Sequence, residues 1–157
     1  MMDRTPNCLC ICGATQFQVF SAPLLRVYCH CTICQRFNNA PFADVTIFRT
    51  EDVRMPAPNS VQFKRYKSPP AVQRGSCSHC GSPAIELVDL PLLPKLVVVP
   101  TANIKQEQYI PRPSLHIFYD KRVAEIDDSL DKYHGFARSQ LALSSKLIKA
   151  LLNQPHI

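Results

Sequence analysis

Cysteines are the side chains whose number and spacing suggest chemistry in this chain. There are 8 among 157 residues, and none lies beyond position 80. Thiolates at short spacings are typical zinc ligands, which converge on one ion at about 2.3 Å per sulfur. The three groups are C-x-C-x-C at Cys8, Cys10 and Cys12, C-x-C-x-x-C at Cys29, Cys31 and Cys34, and C-x-x-C at Cys77 and Cys80.

Two cysteine pairs are predicted to form one closed site. Alternate residues of a strand share a face, so Cys10 and Cys12 present two sulfurs on one side. Cys77 and Cys80 meet across a tight turn. We expect these four to hold a structural zinc, whose bonds offset the entropy of closing a long loop. A redox pair at Cys77 and Cys80 is the alternative. It calls for a thioredoxin-like βαβ context, whereas this region has a strand–turn–strand pattern.

Glycines border the proposed ligands. Gly13 follows Cys12 and Gly81 follows Cys80, where a turn often needs the positive φ that Gly adopts freely. Gly75 lies two residues before Cys77. Three of only 4 glycines are therefore placed around these cysteines.

The third group supplies three sulfurs and no obvious fourth ligand. Three protein ligands with an open position is the usual arrangement of catalytic zinc, so we predict a catalytic zinc at Cys29, Cys31 and Cys34. Cys8 either completes this site or is a spare buried thiol. His30 lies between two ligands on a presumed strand, so it is expected on the opposite face and not as a ligand.

Three thiolates constrain what such a site can do. They donate strongly, so the metal is a weak Lewis acid towards water and a soft fourth ligand suits it. A substrate thiol bound there would be deprotonated. The resulting thiolate can attack an aldehyde or release a one-carbon unit, which makes a small thiol or aldehyde the expected partner.

The remaining sequence predicts the elements that position these cysteines. Alternating or continuous apolar runs predict strands, and helical spacing of leucines predicts one amphipathic helix over residues 139–153. This helix is expected to dock on the sheet or on a second copy of the chain, and not on a membrane. We expect a mainly β single domain over residues 1–157 with a helical tail. The predicted strands cover 15–20, 45–49, 61–66, 84–88, 95–99 and 115–119.

Composition limits the other classes of function. No apolar run reaches the ~18 residues of a membrane helix, and the N-terminus lacks the apolar run of a secretory signal. We therefore expect a cytoplasmic protein whose thiols stay reduced. Seven thiolates and two zinc ions would lower the formal charge of +6 to about +3, which weakens the case for nucleic acid as a partner.

A non-catalytic zinc module that binds protein or nucleic acid is the alternative function. Its basis is a set of cations interleaved with aromatic residues, a pattern found in single-strand binders. A zinc deaminase is excluded, because no H-x-E motif occurs and Ser76 precedes Cys77 where that class has proline. The interleaved residues are Phe48, Arg49, Arg54, Phe63, Lys64, Arg65, Tyr66 and Lys67.

These motifs resemble the glutathione-dependent formaldehyde-activating enzymes, a family also called centromere-protein-V-like. The resemblance spans about residues 8–134. Asn39 stands where the family has Gly, and Asn tolerates the left-handed geometry of such a turn. Ser76 and Val123 replace aromatic residues of the family. The matching segments are Cys10–Phe17, Cys29–Arg36, Ala40–Phe42, Arg74 with Cys77–Pro83, and Pro113–Phe118.

The resemblance implies a fold, a metal content and an activity. The fold would be of the β-tent type, with several small antiparallel sheets and two zinc ions. A glutathione sulfur would take the open position at Cys29, Cys31 and Cys34. The activity would be that of a carbon–sulfur lyase that forms or cleaves S-hydroxymethylglutathione. Neither His116, in an apolar strand, nor Asp44, close to Ala40–Phe42, is assigned as an acid or base.

Overall fold

The computed structural model describes residues 4–66, 71–89 and 92–153. Within these ranges it has eleven strands and two α-helices, which confirms the mainly β prediction with a C-terminal helix. The helices are α1 (Thr32–Asn38) and α2 (Phe136–Asn153). The strands are β1 (Cys8–Leu9), β2 (Gln16–Val19), β3 (Leu25–Cys29), β4 (Ala43–Arg49), β5 (Val53–Arg54), β6 (Val61–Lys64), β7 (Ala71–Cys77), β8 (Pro83–Asp89), β9 (Leu96–Pro100), β10 (Leu115–Ile117) and β11 (Asp131–Lys132).

The strands form one large and one small sheet. Eight strands are joined in the order β11-β10-β3-β4-β9-β8-β7-β6, and three in the order β1-β2-β5. Most neighbours are antiparallel, but β10 pairs in parallel with both β3 and β11. The family resemblance implied several small antiparallel sheets. The structure has two sheets, and the larger one is mixed.

Three elements around the cysteines lay outside the predicted set. Strand β3 leads into Cys29 and helix α1 begins at Thr32, so Cys31 is the N-cap residue of the helix and Cys34 lies in its first turn, and neither lies in a strand. Strand β7 leads into Cys77. Its sequence around Gly75 is mostly polar, so its place in the sheet comes from long-range pairing with β6 and β8.

The large sheet is covered on both faces. Alternation sends Val45 and Ile47 of β4 to one core cluster and Phe48 to the other. In β9, Val98 faces the first cluster, whereas Val97 and Val99 face the second. Because both faces are buried, β9 shows the continuous apolar run that predicted a buried strand.

Helix α2 packs its inner face on the first core cluster. Leu147 is fully buried there, and Arg49 Nη2 donates to the Leu151 carbonyl at 3.0 Å, so the expected docking on the sheet is observed. The outer face keeps Leu141 and Leu152 exposed. Neither described helix is long and apolar enough to cross a membrane. Docking on a second copy, and the single-domain organisation, stay predictions.

Candidate metal centre and active site

The first cysteine cluster joins two distant turns. The sulfurs of Cys10, Cys12, Cys77 and Cys80 all lie within 4.8 Å of one another. The Cys10 and Cys12 sulfurs are 3.4 Å apart, and the Cys12 and Cys77 sulfurs are 3.7 Å apart. A tetrahedron with 2.3 Å metal–sulfur bonds has edges of about 3.8 Å. The four donors therefore have the type and spacing of a closed thiolate site.

Each half of this cluster is a turn whose backbone faces the sulfur atoms. Gly13 and Gly81 have φ of +80° and +77°, which confirms the positive φ expected of both. The backbone N–H of Thr15 points at the Cys10 sulfur at 3.3 Å, and that of His79 points at the Cys77 sulfur at 3.4 Å. Such N–H donors stabilise a thiolate over a thiol.

The electrostatics of Cys77 agree with this arrangement. Burial opposes its ionisation, but the Thr15 side chain and the backbone N–H groups of Cys80 and His79 outweigh burial and lower its pKa to about 5. Cys77 ends β7 and Pro83 begins β8, so the pair lies in a strand–turn–strand unit. The thioredoxin-like context of a redox pair is therefore not formed here.

The second cluster lies where β3 passes into α1. Cys29 ends the strand, Cys31 is the N-cap residue of the helix, and Cys34 lies in its first turn. Their three sulfurs lie within 4.8 Å of one another. The Cys31 sulfur also accepts from the backbone N–H of Cys34 at 3.3 Å. Asn39 ends α1 at φ 47° and ψ 50°, which confirms the left-handed geometry expected of it.

Hydrogen bonding within the second cluster favours ionisation of Cys31. Hydrogen bonds from the Cys29 and Cys34 thiols lower the pKa of Cys31 to about 2. The same contacts, together with burial, raise the pKa of Cys34 well above its usual value. Three soft sulfur donors that converge in this way are suited to a thiophilic cation.

Cys8 lies apart from both groups. It is fully buried among Phe17, Val19 and Phe48 in the second core cluster, and burial raises its pKa to about 12. The described residues thus place Cys8 as a packed thiol, and the alternative in which it completes the second cluster is wrong.

A buried ion pair borders the second cluster. Arg74 Nη2 lies 3.8 Å from the Cys34 sulfur, and Arg74 Nη1 donates to Glu86 Oε1 at 2.9 Å. Their side chains are 11% and 6% exposed. Burial raises the pKa of Glu86 to about 7, although Arg74 opposes the shift. The sequence analysis assigned no role to Glu86, and the signal it missed was a carboxylate in the middle of the apolar strand β8.

A cavity of about 300 Å³ opens beside these residues. It lies between the large sheet and the helices α1 and α2, and Cys29, Cys31, Cys34, Arg74 and Glu86 all line it. The rest of its wall is mostly aliphatic. Where the cavity reaches the surface, exposed Tyr66, Lys121 and Phe136 line it. The second cluster therefore faces a cavity in which a small molecule can bind. The first cluster does not line this cavity.

His30 points away from both clusters, as expected from its position between two ligands. Its Nε2 lies 2.8 Å from His116 Nδ1, and His116 Nε2 lies 2.7 Å from Asp128 Oδ2. His30 and His116 are both fully buried, and burial lowers the pKa of His30 to about 4. Asp44 instead pairs with Arg26 at 2.7 Å. None of these residues lines the cavity.

The residues of the alternative binding surface differ in whether they are buried or exposed. Phe48 and Arg49 are buried, whereas Phe63 and Tyr66 are 40% and 43% exposed. Arg54 donates to Gln18 at 2.6 Å. Lys67 lies outside the described residues. The described part of this set is therefore not one continuous basic and aromatic face.

Comparison with known proteins identifies the family. A crystal structure of a Rhodobacter sphaeroides protein matches with a TM-score of 0.50 and 16% identity, over 80% of this chain and 97% of that chain, so it supports the fold. No curated protein matches the sequence. The family model described as "Glutathione-dependent formaldehyde-activating enzyme" matches residues 5–121. This match covers well over half of the chain, which therefore belongs to the glutathione-dependent formaldehyde-activating enzyme family.

Proposed function

We propose that this protein is a zinc-dependent carbon–sulfur lyase that makes or cleaves an adduct between a thiol and an aldehyde. S-hydroxymethylglutathione is the reference substrate, on the basis of family membership. The single observation that supports the proposal best is that Cys29, Cys31 and Cys34 converge beside a cavity while the four-cysteine cluster does not line it. The first cluster would hold a structural zinc, and the second a catalytic zinc.

The chemistry of the second site follows from its donors. Cys29, Cys31 and Cys34 would hold the zinc, which would leave a position for a fourth soft ligand, and a substrate thiol bound there would lose its proton. Arg74 places its guanidinium beside Cys34, where its positive charge offsets the excess negative charge of the thiolates. Cys29, Cys31 and Cys34 would act through the ion they hold and not as nucleophiles themselves.

Glu86 is the group placed to move a proton. When the adduct forms, the thiolate sulfur adds to the carbonyl carbon and the carbonyl π electrons move to the oxygen. That oxygen takes a proton from the neutral Glu86 carboxyl, whose pKa near 7 lets it hold one at physiological pH. In the reverse direction the Glu86 carboxylate removes the hydroxyl proton and the carbon–sulfur bond breaks. The proton that the substrate thiol gives up replaces the one that Glu86 donates, so atoms and charge balance in both directions without an oxidant.

The expected setting is a reducing compartment such as the cytoplasm. All eight cysteines are free thiols, and thiolate ligands are lost when they oxidise. The partners would be a small thiol, glutathione in the first instance, and an aldehyde.

Exchange spectroscopy tests the proposal directly. Zinc-loaded protein is added to glutathione and ¹³C-formaldehyde, and the exchange between free aldehyde and S-hydroxymethylglutathione is measured by NMR. We expect faster exchange with the wild-type chain and with Cys8→Ala, whose site lies in the other core. With Cys31→Ser, exchange should occur at the uncatalysed rate. An equal rate with wild type and Cys31→Ser would overturn the proposal.

A further inference from the structure

The cavity beside the three-cysteine cluster has far more room than formaldehyde needs. Its volume of about 300 Å³ is roughly ten times the ~30 Å³ that a water molecule occupies in the liquid. This volume is also at the lower end of the range for pockets that bind drug-sized ligands. A one-carbon aldehyde, joined to the sulfur of glutathione at the cluster, would leave the aliphatic part of the cavity unfilled.

The floor of the cavity is apolar and continuous with the polar residues. Strand register places Ile47, Val98, Glu86 and Arg74 side by side across β4, β9, β8 and β7. The next row on the same face of the sheet has Leu96 paired with Val88 and Val88 with Val72. The polar pair thus lies at one side of an aliphatic floor, and Cys34 lies against this pair. On the sheet side, a molecule that reacts there has aliphatic surface on which to place the rest of its structure.

Helix α2 closes the apolar part of the cavity. Leu143 and Leu147 line it from above, whereas Leu141 on the outer face is 70% exposed. Gln140 and Lys121 also line the cavity, but they come from the helix and from the loop after β10, and not from the sheet floor.

We infer that the aldehyde of the proposed reaction carries an aliphatic chain of several carbons, which lies on the Ile47–Val98 floor beneath Leu143. This inference rests on the proposed function, because the thiol cluster defines which end of the molecule reacts. Burial of each further methylene should strengthen binding of the adduct about fourfold until the floor is covered.

The test uses a homologous series, so that the intrinsic reactivity of the carbonyl stays constant. With zinc-loaded full-length chain and saturating glutathione, kcat/KM is measured for butanal, pentanal and hexanal. We expect a rise of about fourfold per methylene. Leu143→Trp, which fills the space above the floor, should abolish this rise. Leu141→Trp, on the exposed face of the same helix, should keep it. A flat series in the wild-type chain overturns the inference.

Binding of unreactive alcohols separates this inference from the proposed function. Butanol, pentanol and hexanol are titrated into methyl-labelled protein, and the shifts of the Val98 and Leu143 methyl signals give affinity and location. Affinity that rises with chain length while no aldehyde reacts would support the pocket and contradict the reaction. Formaldehyde turnover without any chain-length dependence of alcohol binding would support the reaction and overturn the pocket.

Discussion

Arg74 connects the Cys34 sulfur to the Glu86 carboxylate: one guanidinium nitrogen lies 3.8 Å from the sulfur and another donates to Glu86 at 2.9 Å. The pair is formed across neighbouring strands, since Arg74 of β7 is directly opposite Glu86 of β8. A positive charge is thereby held between the thiol cluster and a carboxylate that lines the cavity. This relationship gives the site a charge balance that the cysteine spacing alone does not show.

Arg74 should control how tightly the three-cysteine cluster holds its metal. Arg74→Met removes the cation beside Cys34, and loss of a partner around a metal site typically weakens affinity ~10- to 100-fold. Competition with a chromophoric chelator measures the change. Arg54→Met, which removes an arginine bonded to Gln18 in another part of the chain, is the control and should retain both metals. Equal affinities in wild type and Arg74→Met would contradict the role given to Arg74.

Glu86 should be visible in the pH profile of the reaction. Burial raises its pKa to about 7, so the neutral acid that donates in adduct formation is lost as pH rises through this value. We expect kcat/KM for adduct formation to fall above pH ~7. Glu86→Gln should lower kcat/KM by ~10²-fold and remove this fall at high pH. Glu125→Gln, at an 81% exposed side chain, is the matched control. If kcat/KM of Glu86→Gln still falls above pH ~7, the fall comes from another group.

His30 should make folding stability depend on pH in the acid range. Burial lowers its pKa to about 4, against ~6.5 in the unfolded chain. Between these values the unfolded chain binds a proton that the folded chain does not, so the free energy of unfolding falls as pH decreases from 6.5 towards 4. At pH 5.5 this loss is about 1.4 kcal/mol.

Comparison with His30→Gln isolates this contribution. Glutamine keeps a polar group facing His116 but does not titrate in this range, so the variant should lose less stability than wild type between pH 7.5 and 5.5. Urea unfolding at both pH values, with saturating zinc throughout, gives the difference. Parallel losses in the two proteins would show that His30 does not produce the effect.

Cysteine variants should separate the two metal sites. Native mass spectrometry of the wild-type chain is expected to show two zinc ions. Cys77→Ser should lose one and lower the stability of the fold, because its cluster ties two distant turns together. Cys31→Ser should lose the other with the fold retained. Cys8→Ala should keep both, and loss of a metal from this variant would contradict the placement of Cys8 in the core.

The sequence was informative where local chemistry determines the structure. The spacing of Cys10, Cys12, Cys77 and Cys80, with Gly13 and Gly81 beside them, predicted a cluster that the structure brings together. Alternating or continuous apolar runs predicted six of the eleven described strands, β2, β4, β6, β8, β9 and β10. These features depend on neighbours two or three residues apart, which a single sequence displays.

Features formed by long-range packing could not be read in the same way. Helix α1 has only seven residues and lacks an amphipathic repeat, so Cys31 and Cys34 gave no helical signal. Glu86 acquires its raised pKa from burial opposite Arg74, a pairing set by strand register. The cavity depends on where α2 lies over the sheet. Each of these follows from tertiary structure rather than from local pattern.

Cobalt substitution with a glutathione titration tests the central claim most directly. The claim is that Cys29, Cys31 and Cys34 hold a metal with one position open to a thiol. In cobalt-loaded protein, glutathione should shift and intensify the thiolate-to-metal absorption of one of two ions, and Cys31→Ser should not respond. A wild-type spectrum that stays unchanged at saturating glutathione would contradict the account.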